Sequence, residues 1–314
     1  MIEETVRTNR TDFESLRPYL FAIAYRMLGS GSEAEDVVQE AYLRALSAEP
    51  TDIESPKAYF AAIVTRLCLD ELKSARRQRE RESYPGPWLA EPIPTADLDV
   101  SPEQVAERRE DVSLAMLSLM EQLTPEERAV YVLREAFDVD YAEIAPILGK
   151  SPAATRQLGR RARQRVAAGQ PRFPAPIDDQ RRLTERFLAA AERGDLEGLA
   201  EVMAADVVMW ADGGPKARAA RRPITGVSAV LQILASGLRK MPAGAQTMIE
   251  PLNGRPVLVM WDGDRLVATF EFEVDNGLVT GIRIAGSPDK LRYLQRRLGP
   301  PGSEPLGWLP IQGA

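Results

Sequence analysis

Arginines crowd one short stretch of this chain: Arg156, Arg160, Arg161, Arg163, Arg165 and Arg172 fall between Ser151 and Pro174 with no acid among them. Guanidinium groups at that density suit two tasks, bidentate contact to guanine edges and neutralisation of phosphates, and Gln157 among them can pair with adenine. Lys73, Arg76, Arg77, Arg79 and Arg81 form a second basic cluster. The net charge of the chain is -6. Two basic patches on an acidic background imply two phosphate-contacting surfaces, with acidic faces left over for a protein partner. Histidine is absent and Cys68 is the single cysteine. Imidazole acid-base catalysis, His-ligated metal sites, thiolate-ligated zinc and an internal disulfide are therefore all removed together. No cofactor, metal site or catalytic residue is expected, and the chain reads as a non-enzyme.

The elements that must position these groups read as capped helices. Thr124-Pro125-Glu126-Glu127 has the N-cap, first-turn proline and N3 acid of a helix start. Asp140 and Glu143 begin a short second helix with an apolar face of Ile144, Ala145 and Leu148, and Gly149 suits the left-handed turn that ends it. Ser151-Pro152 then caps a third helix, striped by Ala154, Leu158, Ala162 and Val166 at four-residue spacing. Packing that stripe inward leaves Arg156, Gln157, Arg160 and Arg163 on other faces. Asp140–Val166 is thus a helix-turn-helix whose last helix enters the major groove of duplex DNA. Pro146 breaks the pattern, since an internal proline removes a hydrogen bond and costs ~3 kcal/mol.

At 314 residues the chain is long enough for two or three domains. Phe13, Leu16, Leu20, Ile23, Ala24 and Met27 recur at helical spacing, and a Gly-Ser break at Gly29 follows. Ser32 with Glu35 reads as a capping box opening the next helix, and Ser55-Pro56 as the start of a third. Residues 1–82 form a first helical module. Pro85, Gly86, Pro87, Pro92, Pro94 and Pro102 mark 83–104 as an extended linker, in which Trp88 is a larger side chain than a spacer needs. A second helical module spans 105–170. Beyond Asp178 the pattern becomes α+β: helical stretches at 180–193 and 226–240, a strand candidate at Val207–Trp210, and alternating runs at 256–261, 265–274 and 278–285. Asp262-Gly263 and Asn276-Gly277 are the turns between those runs. The third domain is 178–298, with a flexible tail over 299–314. No apolar run reaches the roughly 18–20 residues of a membrane span, and no leader pattern opens the chain. A cytoplasmic protein with no membrane partner is expected.

These motifs resemble a known family. The first module is similar to domain 2 of the extracytoplasmic-function sigma factors of bacterial RNA polymerase, and 105–170 to their domain 4. Ser32–Leu46 resembles the helix that grips the polymerase beta-prime subunit, with Asp36, Gln39 and Glu40 at its polar positions. Pro56–Arg79 resembles the segment that opens and reads the minus-10 element. Its DNA contacts fall on Tyr59, Arg66, Lys73, Arg76 and Arg77, although Arg66 stands where the family usually has Asn and Tyr59 where it often has Trp; for Phe60 a core position is the preferred reading. The minus-35 contact falls on Arg156, Gln157, Arg160, Arg161 and Arg163. Core polymerase, through its beta-prime and beta subunits, and promoter DNA are the implied partners.

Residues 178–298 resemble a SnoaL-like, NTF2-like cone. A sigma subgroup with that extension carries motifs that this chain nearly repeats, at Trp88-Leu89-Ala90-Glu91-Pro92, at Asp212-Gly213-Gly214-Pro215-Lys216 and at Ser287-Pro288-Asp289-Lys290-Leu291. The resemblance implies an extension that regulates the sigma modules in cis through Trp88, Leu89, Glu91, Pro92, Asp212, Gly213, Gly214, Lys216, Asp289 and Lys290. A second reading gives the cone an unknown small ligand, with Asp206, Trp210, Trp261, Glu271 and Arg283 as lining residues by strand position; a filled or vestigial pocket is favoured over turnover. The rival for the whole chain is a helix-turn-helix repressor or activator with a small-molecule-sensing domain, which has no use for the Ser32–Leu46 and Pro56–Arg79 motifs.

Overall fold

The computed structural model describes residues 2–47, 55–98, 112–169, 175–217 and 219–303. The expected start of the second module at 105, Arg172 of the basic stretch, and the tail beyond 303 lie outside the described residues, as do the side chains of Arg76 and Arg79.

The first module is built from α1 (Ile2–Leu28), α2 (Gly31–Ser47) and α3 (Pro56–Lys73). Phe13, Leu20, Ile23, Ala24 and Met27 are buried as their spacing predicts, while Leu16 is half-buried. Phe13 meets Phe60 edge-on at 4.9 Å and Tyr42 at 5.0 Å, so Phe60 is core. Ser55 caps α3, its Oγ accepting from Ala58 N at 3.3 Å. The cap of α2 lies elsewhere than expected. Gly29, at φ 71, ends α1 early enough for Ser30, not Ser32, to take the cap position and accept from Glu33 N at 3.1 Å.

After α4 (Ala75–Glu82), the chain expected as an open linker is a buried strap. Leu89, Ala90 and Ile93 are sealed from solvent, a single 3-10 turn spans Thr95–Leu98, and Pro94 bridges to Leu252. Its amides find partners there, Leu89 N on Asp212, Glu91 N on the Gly29 carbonyl and Ile93 N on Asn253, and buried Pro92 has no N–H to satisfy.

The second module comprises α5 (Leu114–Met120), α6 (Pro125–Tyr131) running into a π-helical turn at Val132–Ala136, α7 (Tyr141–Leu148) and α8 (Pro152–Gly169). Both capping boxes form, at Thr124–Glu127 and at Asp140–Glu143, and Gly149 adopts φ 62. Pro146 is tolerated because α7 has only eight residues. The missing amide there forfeits one bond, to Ala142.

The α+β domain places α9 (Ile177–Glu192), α10 (Leu196–Glu201) and α11 (Val227–Arg239) with a six-stranded sheet. The strands are β1 (Met203–Asp212), β2 (Ile224–Thr225), β3 (Ala245–Leu252), β4 (Arg255–Asp262), β5 (Arg265–Asp275) and β6 (Leu278–Ala285), in the order β2-β1-β6-β5-β4-β3. Among the described strands, only β1 and β6 pair in parallel. Leu183, Phe187, Val230 and Leu234 fill one face against Met209, Phe272 and Ile282. α12 (Pro288–Leu298) covers part of the other, with Leu291 and Leu294 on Val259, Trp261 and Ala285.

Candidate functional site

Along α8, Leu158, Ala162 and Val166 are buried, and Ala154 is half-buried. Arg156, Gln157 and Arg160 stand exposed on the opposite surface. Arg161 and Arg163 remain accessible but brace inward, Arg161 to Glu127 at 3.3 Å and Arg163 to Glu135 at 3.8 Å. Gly159 lets α7 close on α8, since a Cβ there would meet the Tyr141 hydroxyl at 2.8 Å.

Tyr59, Arg66 and Lys73 follow one another at seven-residue spacing along α3, and Arg77 stands apart from them. Tyr59 is half-buried against Phe60. Arg66 donates to the carbonyls of Pro146 and Ile147 at 3.3 and 3.5 Å, where α7 of the helix-turn-helix ends. A cation at a helix C-terminus is favourable in its own right. Lys73 pairs with Glu126 at 3.1 Å, so both reach across to the second module. Arg77 is 6% exposed and is tied to Glu33 and the Leu28 carbonyl, a structural brace between α4 and the α1–α2 turn. Arg128, on α6, completes the contact between modules: it is buried, donates to the Arg26 carbonyl at 3.0 Å and pairs with Glu121. Burial pulls its pKa down to about 9.

The α2 residues differ. Asp36 and Glu40 are exposed and Gln39 half-buried; Glu40 meets only its helix neighbour Arg44 among the described ion pairs, at 2.8 Å.

The linker motif meets the two C-terminal motifs at one buried carboxylate. Asp212, at the end of β1, accepts from Leu89 N at 2.8 Å and Lys290 Nζ at 2.7 Å through Oδ2, and from Gly214 N and the Tyr84 hydroxyl through Oδ1. Lys290 also donates to the Leu89 carbonyl and lies 4.0 Å over the Trp88 ring. Burial lowers its pKa to about 8, against the pull of Asp212. Gly214, at φ 58, admits no side chain, because a Cβ would reach Ser287 Oγ at 2.6 Å, and at Gly213 it would strike the Ala217 carbonyl at 2.6 Å. Lys216 pairs with Asp289 at 2.7 Å on the surface beside this lock. Farther along the strap, Pro92 is buried and Glu91 accepts from Ser30 Oγ at 2.9 Å and Ser32 N at 3.2 Å. Burial raises the Glu91 pKa to about 7.

The expected pocket residues are scattered. Asp206 is exposed, and Trp261 lies in the core under α12. Trp210, Glu271 and Arg283 share the sheet face turned away from α9, because strand alternation sends Phe272 to the helix-covered side. There they line a cavity of about 650 Å3 between the sheet, the linker and α5. Arg283 stacks 4.4 Å over Trp210 and pairs with Glu273, while Glu271 accepts from Leu114 N at 3.1 Å. The interior of the helix-covered face is filled by apolar side chains.

Several working residues went unread in the sequence. Tyr84 had no motif to mark it, and Asp97, which holds Arg297 and Tyr293, looked like linker. Asn253 had a signal, the Asn-Gly turn dipeptide. Among the described residues, no helix is long and apolar enough to cross a membrane.

Comparison with known proteins gives a consistent picture. Residues 13–78 match the model of Sigma-70 region 2, and 113–166 that of Sigma-70, region 4. The chain is 38% identical over 228 residues to the ECF RNA polymerase sigma factor SigJ of Mycobacterium tuberculosis, covering 71% of each chain. It is 32% identical over 289 residues to the probable ECF RNA polymerase sigma factor SigI of the same species, covering 90% of this chain and 94% of that one. The crystal structure of M. tuberculosis SigJ superposes with a TM-score of 0.70 at 31% identity, over 90% of this chain and 98% of the other.

Proposed function

The chain belongs to the extracytoplasmic-function sigma factors of bacterial RNA polymerase, and on that premise we propose how its surfaces divide the work. Asp36, Gln39 and Glu40 on α2 grip the beta-prime subunit of core polymerase. Tyr59, Arg66, Lys73 and Arg76 engage the opened minus-10 strand, and Arg156, Gln157 and Arg160 read the minus-35 duplex with Arg161 and Arg163 on its phosphates. Arg77 supports the first module from inside.

The C-terminal domain regulates this activity in cis by holding the modules closed. One observation carries that reading: Arg66 is bonded to the end of α7. Promoter elements about 25 base pairs apart are separated by about 85 Å on straight B-DNA, at about 3.4 Å per step. A minus-10 residue touching the helix-turn-helix at 3.3 Å cannot serve both elements at once. The closed arrangement must therefore open for initiation, and the Asp212–Lys290 lock on the linker favours the closed form. A small ligand, on this architecture, belongs in the cavity between sheet, linker and α5, where it would bear on the same equilibrium.

Reconstituted transcription tests both parts. The full chain is expected to co-purify with core polymerase and open a cognate promoter, and Asp212→Asn to change the output. Failure to bind core polymerase would remove the sigma assignment of α2, and unchanged output from a folded Asp212→Asn chain would remove the regulation.

A further inference from the structure

The β3–β4 hairpin turns through Asn253-Gly254 at φ 51 and 74, the left-handed pair that a two-residue turn demands. Hairpin tips ordinarily sit in water. Asn253 is 1% exposed, and its bonds explain why. Oδ1 accepts from Ile93 N at 3.0 Å, while Nδ2 donates to the Tyr25 hydroxyl at 2.6 Å and to the Val112 carbonyl at 3.0 Å. Its backbone N–H donates to the Ile93 carbonyl at 3.0 Å, and Gly254 N to Thr95 Oγ1 at 3.0 Å. The Tyr25 hydroxyl donates in turn to the Glu91 carbonyl at 2.6 Å.

One amide therefore holds α1 of the first module, the strap, and the residue leading into α5 of the second. The chemistry is specific. The site needs one acceptor and two donors from a short side chain, on a backbone at positive φ that Asn adopts far more readily than most residues. A carboxylate offers no donor to Tyr25 or Val112.

We propose that Asn253 is the positioning residue that sets the separation of the two promoter-reading modules, so that the C-terminal domain governs both through one hairpin tip. The inference rests on the cis-regulatory reading and adds a joint that no linker motif marks. The Asp212 lock holds the strap to the sheet; Asn253 is bonded to both sigma modules as well, which makes it the point where the C-terminal domain acts on their spacing.

The test uses the full chain with dyes on exposed positions of α2 and α8, and a labelled single-stranded oligonucleotide as probe. Asn253→Asp keeps the shape and turns both donors into an acceptor facing the Val112 carbonyl. It is expected to lengthen the α2–α8 distance and, by freeing Arg66 and Lys73, to raise oligonucleotide affinity roughly fivefold or more. Tyr25→Phe removes one arm alone and should shift both readouts the same way by less; it decides the matter if Asn253→Asp does not fold. Unchanged distance and affinity in the folded variant overturn the proposal. Asp212→Asn and Asn253→Asp compared in reconstituted transcription as well as in these assays separate the two ideas: if Asp212→Asn alters transcription while Asn253→Asp moves nothing, the joint falls and cis regulation stands. If neither moves anything, both fall.

Discussion

Two surfaces of the first module face opposite circumstances. The outer face of α2 presents Asp36 and Glu40 to solvent, with Gln39 between them. On α3, Arg66 and Lys73 are engaged by the second module, at Pro146 and Ile147 and at Glu126. The proposed polymerase grip is open, while two residues of the proposed minus-10 surface are held by the second module. Exposed carboxylates at a protein interface keep their hydration until a partner arrives, whereas a basic surface meant for DNA would bind any nucleic acid unless screened. On the proposed division of surfaces, the contrast implies an order of events in which polymerase is engaged first and promoter contact follows the parting of the modules.

The largest expected effect breaks the open side of this comparison. Asp36→Arg with Glu40→Arg places like charges where the partner expects acids, and should weaken core polymerase binding by on the order of a hundredfold. Both side chains are exposed, so the fold and the melting temperature should be preserved. Titration of core polymerase with the labelled chain measures it, and a loss below about threefold would move the grip elsewhere.

An effect that is smaller per pH unit sharpens the closed side. Glu91 binds the start of α2, and burial lifts its carboxyl from 4.5 to about 7. Between those values the docked strap keeps a proton that the undocked strap has released. Docking is therefore strongest below about pH 4.5 and weakens as pH rises toward 7, by at most about 1.4 kcal/mol per unit. Hydrogen exchange at the Ser32 amide, corrected for its intrinsic rate, should show protection falling over that window. Glu91→Gln should flatten the slope; an equal slope in the variant would exonerate Glu91.

What the sequence made legible follows the range of the interactions involved. Capping boxes at Thr124 and Asp140, the Gly149 turn and the α1 stripe are set within a few residues, and each formed where its spacing placed it. The strap did not yield to the same reasoning. Proline-rich composition looks alike whether the chain is solvated or buried, and only Trp88 hinted at a packed segment. Asp212, Lys290 and Leu89 meet across 78 to 201 residues, a pairing that no local pattern encodes. Of the expected pocket residues, Trp210, Glu271 and Arg283 line the cavity and Asp206 and Trp261 do not, because strand position fixes alternation while which face the helices cover is a tertiary choice. Arg77 read as a DNA contact because charge clusters do not reveal which members turn inward.

The smallest effect probes the edge of the closed contact. Glu126 lies between Lys73 of the first module at 3.1 Å and Lys150 of its own at 3.1 Å, and the two cations hold its carboxyl below the ordinary range. Lys73 is half-exposed, so the bridge across the modules is screened and contributes less than about 1 kcal/mol. Glu126→Gln should shift the closed population by roughly twofold, seen as a slight lengthening of the α2–α8 distance. Raising salt should produce the same lengthening in the natural chain and none in the variant, because screening removes only what the substitution has already removed. A larger shift would mean that the edge pair, rather than the buried Arg128 and Asn253 contacts, sets the closure.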